Sequence, residues 1–160
     1  MSVSQNPCLA CNIGQDCCNR LTGLKVSEAE FQTHFQHHAD RISVLKTGKI
    51  YEISALDEKP CPNWEEQCTV YDTRPVECRL FPHTIGQVVE KEHEVLLTVH
   101  SRTSCPLKAD LRMSESDAVE MTREFGVNSY GSNTAIRVKR ETGIAFLQAL
   151  AHRAVKKLSN

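Results

Sequence analysis

The chain has 160 residues, 19 lysines and arginines against 20 acidic residues, and a formal net charge of −1. That length fits one domain spanning 1–160 and is enough to bury a core without a metal. The even charge argues against a basic nucleic-acid clamp or an acidic disordered tail, and the longest apolar stretch, Ile144 to Ala151, is broken by Gln148 and too short to cross a bilayer.

Met1 to Cys8 has neither the basic start nor the apolar core of a secretory signal. The expected location is therefore the cytoplasm, with no membrane partner, where thiols stay reduced. Further along, Ser27 and Glu30 have the spacing of a capping box, and Phe31 and Phe35 share a helical face. The helix is expected to run to about Asp40. Ile42 to Lys46 and Lys49 to Ser54 alternate apolar and polar around Thr47-Gly48, which predicts a β-hairpin.

Lys59 to Pro82 contains Pro60, Pro62, Pro75 and Pro82 and is expected to be mostly irregular. Thr84 to Val89 and Glu94 to His100 read as a second strand pair. Ser114 with Asp117 marks another helix start, and Gly126 its expected stop. Thr134 to Lys139 suits either a strand or a first helical turn. From Gly143 onward, Ile144, Leu147, Leu150, Ala151, Ala154, Val155 and Leu158 fall on one face of a helix. The pattern is α+β, a small single domain with short β-hairpins and three or so helices.

Eight cysteines in a reducing compartment favour metal ligation over disulfides. Thiolate is a soft ligand, suited to zinc, iron–sulfur clusters and cuprous copper. Cys8-Leu-Ala-Cys11 lets one short turn aim two sulfurs at one metal, a spacing that redox dithiols also use. Adjacent side chains of an extended chain point apart, so Cys17 and Cys18 serve two centres, or share one through a local bend, or leave one thiol buried.

In the segment 61–82, Cys61 is followed by Cys68, Tyr71, Arg74-Pro75, Cys78-Arg79 and Pro82. With Cys8, Cys11, Cys17 and Cys18 ahead of it, this order resembles a cysteine-cluster family named after a CxxCxxCC motif, a zinc- or iron-chelating domain. The resemblance spans about 8–106, where Cys105-Pro106 is similar to a later Cys-Pro of the family, and leaves 107–160 as a C-terminal helical part. It implies metal ligation by Cys8, Cys11, Cys17, Cys18, Cys61, Cys68, Cys78 and Cys105. One departure stands out: five residues, Asn12 to Asp16, separate Cys11 from Cys17, where the family's name implies two.

Two four-cysteine zinc sites would use all eight sulfurs, but zinc usually draws on pairs of short knuckles, and only Cys8–Cys11 has that spacing. Iron–sulfur clusters accept scattered cysteines, and Cys61-Pro62 and Cys105-Pro106 resemble the Cys-Pro steps found beside them. Enzymes related to the family look like iron–sulfur proteins. The expectation leans narrowly to an iron–sulfur cluster over zinc.

Arg74 and Arg79 bracket Cys78 and are candidates for offsetting a cluster's negative charge or holding an anionic group; the plainer expectation is an ion pair with Asp72 or Glu77. Tyr71 and Phe81 are expected to pack. His34, His37 and His38 fall at spacings that share a face, but no acidic residue completes a metalloprotease motif, so an exposed polar face is expected. His83 is a weaker substitute ligand, and His152 a solvated residue.

The predicted function is a metal-binding protein with a cysteine-ligated iron–sulfur or zinc centre that supports redox or group-transfer chemistry. The alternative is a structural zinc protein acting as an interaction or nucleic-acid-binding module. Protein partners fit either reading better than nucleic acid, despite the basic C-terminal residues Arg137, Lys139, Arg140, Arg153, Lys156 and Lys157. No glycine-rich nucleotide loop is present, and catalytic residues are not identifiable. A thiol redox sensor would instead cycle through disulfides without stoichiometric metal.

Overall fold

In the computed structural model, residues 20–101 and 113–141 are described. A three-stranded antiparallel sheet is formed by β1 (Leu24–Ser27), β2 (Ile42–Thr47) and β3 (Ile50–Ala55) in the order β1-β3-β2. The expected hairpin is β2–β3, closed where Thr47 pairs with Ile50. Gly48 takes φ 58° in that turn, and the Glu90 carboxylate stands where its Cβ would project. The four residues of β1 are too few to show a readable alternation, and the sequence does not reveal them as a strand.

Ser27 ends β1 and caps the first helix, α1 (Glu28–His34), through the expected capping box. Glu30 N–H donates to Ser27 Oγ at 3.3 Å, and Ser27 N–H donates to Glu30 Oε2 at 2.9 Å. The helix does not run to Asp40. Its backbone leaves α geometry at Phe35, and a 3-10 turn, Gln36–His38, follows. Phe35 is 1 % exposed and packs with Leu21, Val26, Ile42 and Ile53, so burial of this ring overrides the local helical pattern.

The proline-rich segment is mostly irregular, as expected, but contains two two-residue strands, β4 (Trp64–Glu65) and β5 (Gln67–Cys68). A 3-10 turn (Tyr71–Thr73) and one turn of helix, α2 (Val76–Arg79), follow. The expected second strand pair is β6 (His83–Glu90) and β7 (Glu94–Ser101), with a register shift between Ile85 and Val88.

Ser114 caps α3 (Glu115–Tyr130), but the helix passes through Gly126 and stops at Gly131, whose φ is 88°. Gly126 is a packing position, since a Cβ there would stand 2.6 Å from Ile136 Cγ2 and 2.9 Å from Leu97 Cδ1. Of the two expectations for Thr134 to Lys139, the strand holds: β8 (Ala135–Arg140) runs parallel to β7, and α3 provides the crossover that a parallel pair requires. Val95, Leu97, Val99, Ala118 and Phe125 form the core between α3 and this second sheet, joined by Leu80 and Ile50. The architecture is mixed α+β, with three α-helices among the described residues, none long and apolar enough to cross a membrane. The expected helix from Gly143 onward lies outside the described residues.

Candidate metal centre

Cys61, Cys68 and Cys78 are described; Cys8, Cys11, Cys17, Cys18 and Cys105 lie outside the described residues. Six residues separate Cys61 from Cys68, too many for a short knuckle by spacing alone. The fold closes that gap with a compact reversal. Trp64 N–H donates to Cys61 C=O at 2.9 Å, and Trp64 pairs with Cys68 across β4–β5. Glu66 at the tip takes φ 61°, a conformation for which no glycine advertised the turn.

Asn63 organises this reversal. It is buried, and its carbonyl accepts from Thr69 N–H and Thr69 Oγ1, both at 3.0 Å. Its side-chain amide donates to His34 C=O at 3.1 Å, tying the cysteine hairpin to the end of α1. Its backbone N–H hydrogen-bonds to Cys61. Burial pushes the Cys61 thiol up, and the nearby Cys68 charge adds to this; the Asn63 N–H and Arg41 oppose it.

Thus Cys68 lies close enough for its charge to bear on Cys61, whose burial disfavours a bare thiolate. A metal fits here because a bound cation removes the cost of the negative sulfur. Among the described residues, no three His, Cys, Asp or Glu side chains gather as a metal site, so this pair is at most part of one.

Cys78 sits on α2, partly buried, on a turn of helix held at two points. Val76 N–H, at the start of α2, donates to Glu30 Oε1 at 2.7 Å. The Glu77 side chain is buried and accepts from Lys25 N–H on β1, from Thr84 Oγ1 at 2.6 Å and from Ile85 N–H at 3.0 Å on β6. Burial pushes the Glu77 carboxyl up; the Lys25 charge and these hydrogen bonds pull against it. Pairing of Arg74 or Arg79 with Glu77 is therefore corrected, because Glu77 points inward to β1 and β6.

Arg74 instead lies over the Tyr71 ring, with its guanidinium carbon 3.7 Å from the ring centroid, and donates to Tyr71 C=O at 2.9 Å. Arg79 is exposed. Tyr71 thus packs, as expected, with Arg74 as its partner.

The histidine expectation is corrected in part. His34 is buried, 6 % exposed, whereas His37 is exposed and stands 4.0 Å from the His38 ring. His38 also hydrogen-bonds to Asn63, and burial lowers its pKa, with His37 and Arg41 adding to the effect. His83 is buried; its Nε2 lies 3.3 Å from Met113 C=O and its Nδ1 3.1 Å from Ser101 Oγ, so both ring nitrogens already have protein partners.

Sequence reading missed Asn63, Glu30 and Glu77 as organisers of the site. Glu30 was visible as half of a capping box, but its second role needs a partner 46 residues away. A glutamate amid Cys78, Arg74 and Arg79 reads as a surface charge, and nothing local shows Glu77 turning inward.

These features define a small α+β protein in which a folded hairpin pairs two cysteines and a clamped helical turn carries a third. The pattern of the CxxCxxCC family, described as "Putative zinc- or iron-chelating domain", matches residues 7–106, and the chain belongs to that family. The match takes in the described cysteines and the expected ligands before and after them. Neither the curated proteins nor the solved structures gave a match to this chain.

Proposed function

We propose that this protein holds a cysteine-ligated metal centre, with an iron–sulfur cluster narrowly ahead of zinc, that supports redox or group-transfer chemistry. The observation that carries this reading is the juxtaposition of Cys61 and Cys68 by the Asn63-centred hairpin. Cys78 on α2 is a third ligand, and Cys8, Cys11, Cys17, Cys18 and Cys105 supply the rest. Cysteine ligation of a metal is favoured where thiols stay reduced, and the cytoplasm is the location that fits. Arg74 and Arg79 offset the charge of the cluster or hold an anionic group beside it, and any macromolecular partner is a protein rather than nucleic acid.

A specific observation favours a structural zinc site as the second reading. The 61–68 hairpin would serve as a second knuckle, which the spacing alone does not suggest, and zinc sites are commonly built from two such pairs. Metal and acid-labile sulfide content, with the ultraviolet–visible spectrum, on protein purified without oxygen separates the readings. Iron, sulfide and a brown chromophore support the cluster. Colourless protein with stoichiometric zinc supports the structural site. Protein without either metal sinks both.

A further inference from the structure

We propose that Glu30 and Glu77 are positioning residues that set Cys78 for metal, an inference that rests on the reading of Cys78 as a ligand. Cys78 lies on a single helical turn, Val76–Arg79, which is too short to be stable by itself. Contacts beyond the turn must fix its direction, and two carboxylates make them. Glu30 Oε1 holds the N–H of Val76, the first residue of the turn, at 2.7 Å. Glu77, the residue before Cys78, anchors through its side chain to β1 and β6.

In both glutamates the two oxygens face donors. Glu30 Oε2 accepts from Ser27 N–H at 2.9 Å and from Ser27 Oγ at 3.0 Å, while Oε1 accepts from Val76. Glu77 Oε2 accepts from Lys25 N–H, while Oε1 accepts from Thr84 and Ile85. An amide has one donor end and one acceptor end. Glutamine at either position therefore sets its NH2 group against a donor while keeping the side chain's size. The substitution disturbs the clamp and spares the bulk packing.

The clamp also joins elements that carry no expected ligand. Glu30 caps α1 and Glu77 holds β1, so the geometry around Cys78 depends on the first sheet and its helix. Partners that orient a metal ligand change affinity by about 10- to 100-fold when lost. That range is the effect expected of each clamp.

The test uses the full chain, stripped of metal and titrated with cobalt(II), whose thiolate charge-transfer absorption reports sulfur ligation whichever metal is native. E30Q and E77Q are compared with C78S and with F125L, a core change in α3 chosen to give a similar loss of thermal stability. The expected result is weaker cobalt binding by about 10- to 100-fold in each glutamine variant, with charge-transfer intensity reduced toward that of C78S. F125L should keep both properties of the unmodified chain. If E77Q does not fold, E30Q carries the comparison, since its side chain lies outside α2. Full affinity and intensity in the folded glutamine variants would overturn the positioning role while leaving the metal reading intact. C78S with undiminished intensity would overturn it by removing Cys78 as a ligand. An unmodified chain that holds no native metal and binds no cobalt would instead bring down the proposed function itself.

Discussion

Gly126 packs directly beneath Ile136: a Cβ on Gly126 would approach Ile136 Cγ2 to 2.6 Å. This contact lets α3 lie close on β8, and it predicts the effect of Gly126→Ala. In an open helix that change would stabilise by up to about 1 kcal/mol. Here overpacking should outweigh propensity, with a net loss of about 1–3 kcal/mol. Urea denaturation decides the sign; a more stable variant would show that the sheet yields freely.

Asn63 is the keystone of the cysteine hairpin. Asn63→Ala removes the donor that His34 C=O uses in a buried setting. A loss of about 1–2 kcal/mol is expected, together with weaker metal binding from a loosened Cys61–Cys68 pair. Thermal melts with and without metal measure both effects, and unchanged metal affinity would deny Asn63 its organising role.

Metal removal should lower stability, because a ligand bound only by the folded chain stabilises it. Chelator treatment is expected to reduce the Tm of the unmodified protein. Cys61→Ser and Cys78→Ser should each lose metal and become insensitive to chelator. A serine variant with full metal content would strike that residue from the ligand set.

The two arginines should behave differently. Arg74 stacks on Tyr71, so Arg74→Ala should cost about 0.5–1 kcal/mol. Arg79 is exposed, and Arg79→Ala should change stability by less than about 0.5 kcal/mol. If the centre is redox-active, the loss of Arg79 should shift its reduction potential more than its occupancy. Equal potentials in electrochemistry would leave Arg79 with a different role.

Among the histidines, burial separates the outcomes. His34→Ala opens space in the core and should cost about 1–3 kcal/mol. His37→Ala should leave both stability and metal content as they are, since the residue is exposed. Elemental analysis of the His37 variant checks the second point, and a fall in metal would identify His37 as a ligand.

Much of the fold is legible because its signals are local. The Ser27–Glu30 box, the turn at Gly48, the β6–β7 pair and the Ser114 cap each depend on residues a few positions apart. Gly126 misled because glycine stops helices and also permits close packing; only the position of Ile136 distinguishes the two uses. The end of α1 was misplaced for a related reason, since Phe35 leaves the helix to fill a core assembled from β1, β2 and β3. The cysteines, Arg74 and Arg79 are legible as candidates by type and order. Their organisers are not, because Asn63 reaches His34, Glu30 reaches Val76 and Glu77 reaches Lys25, all far along the chain.

The chemistry on offer is written in the order of residues: thiols in an ordered series, membership of a metal-chelating family, and strands and helices of α+β type. Packing sets which described cysteines lie near one another and how their segments are held. Cys61 and Cys68 come together through a turn without glycine, and α2 takes its direction from carboxylates on α1 and α2 itself. The physical reason is that ligand type is a property of one residue, whereas placement and burial arise only when distant segments pack and share their hydrogen bonds.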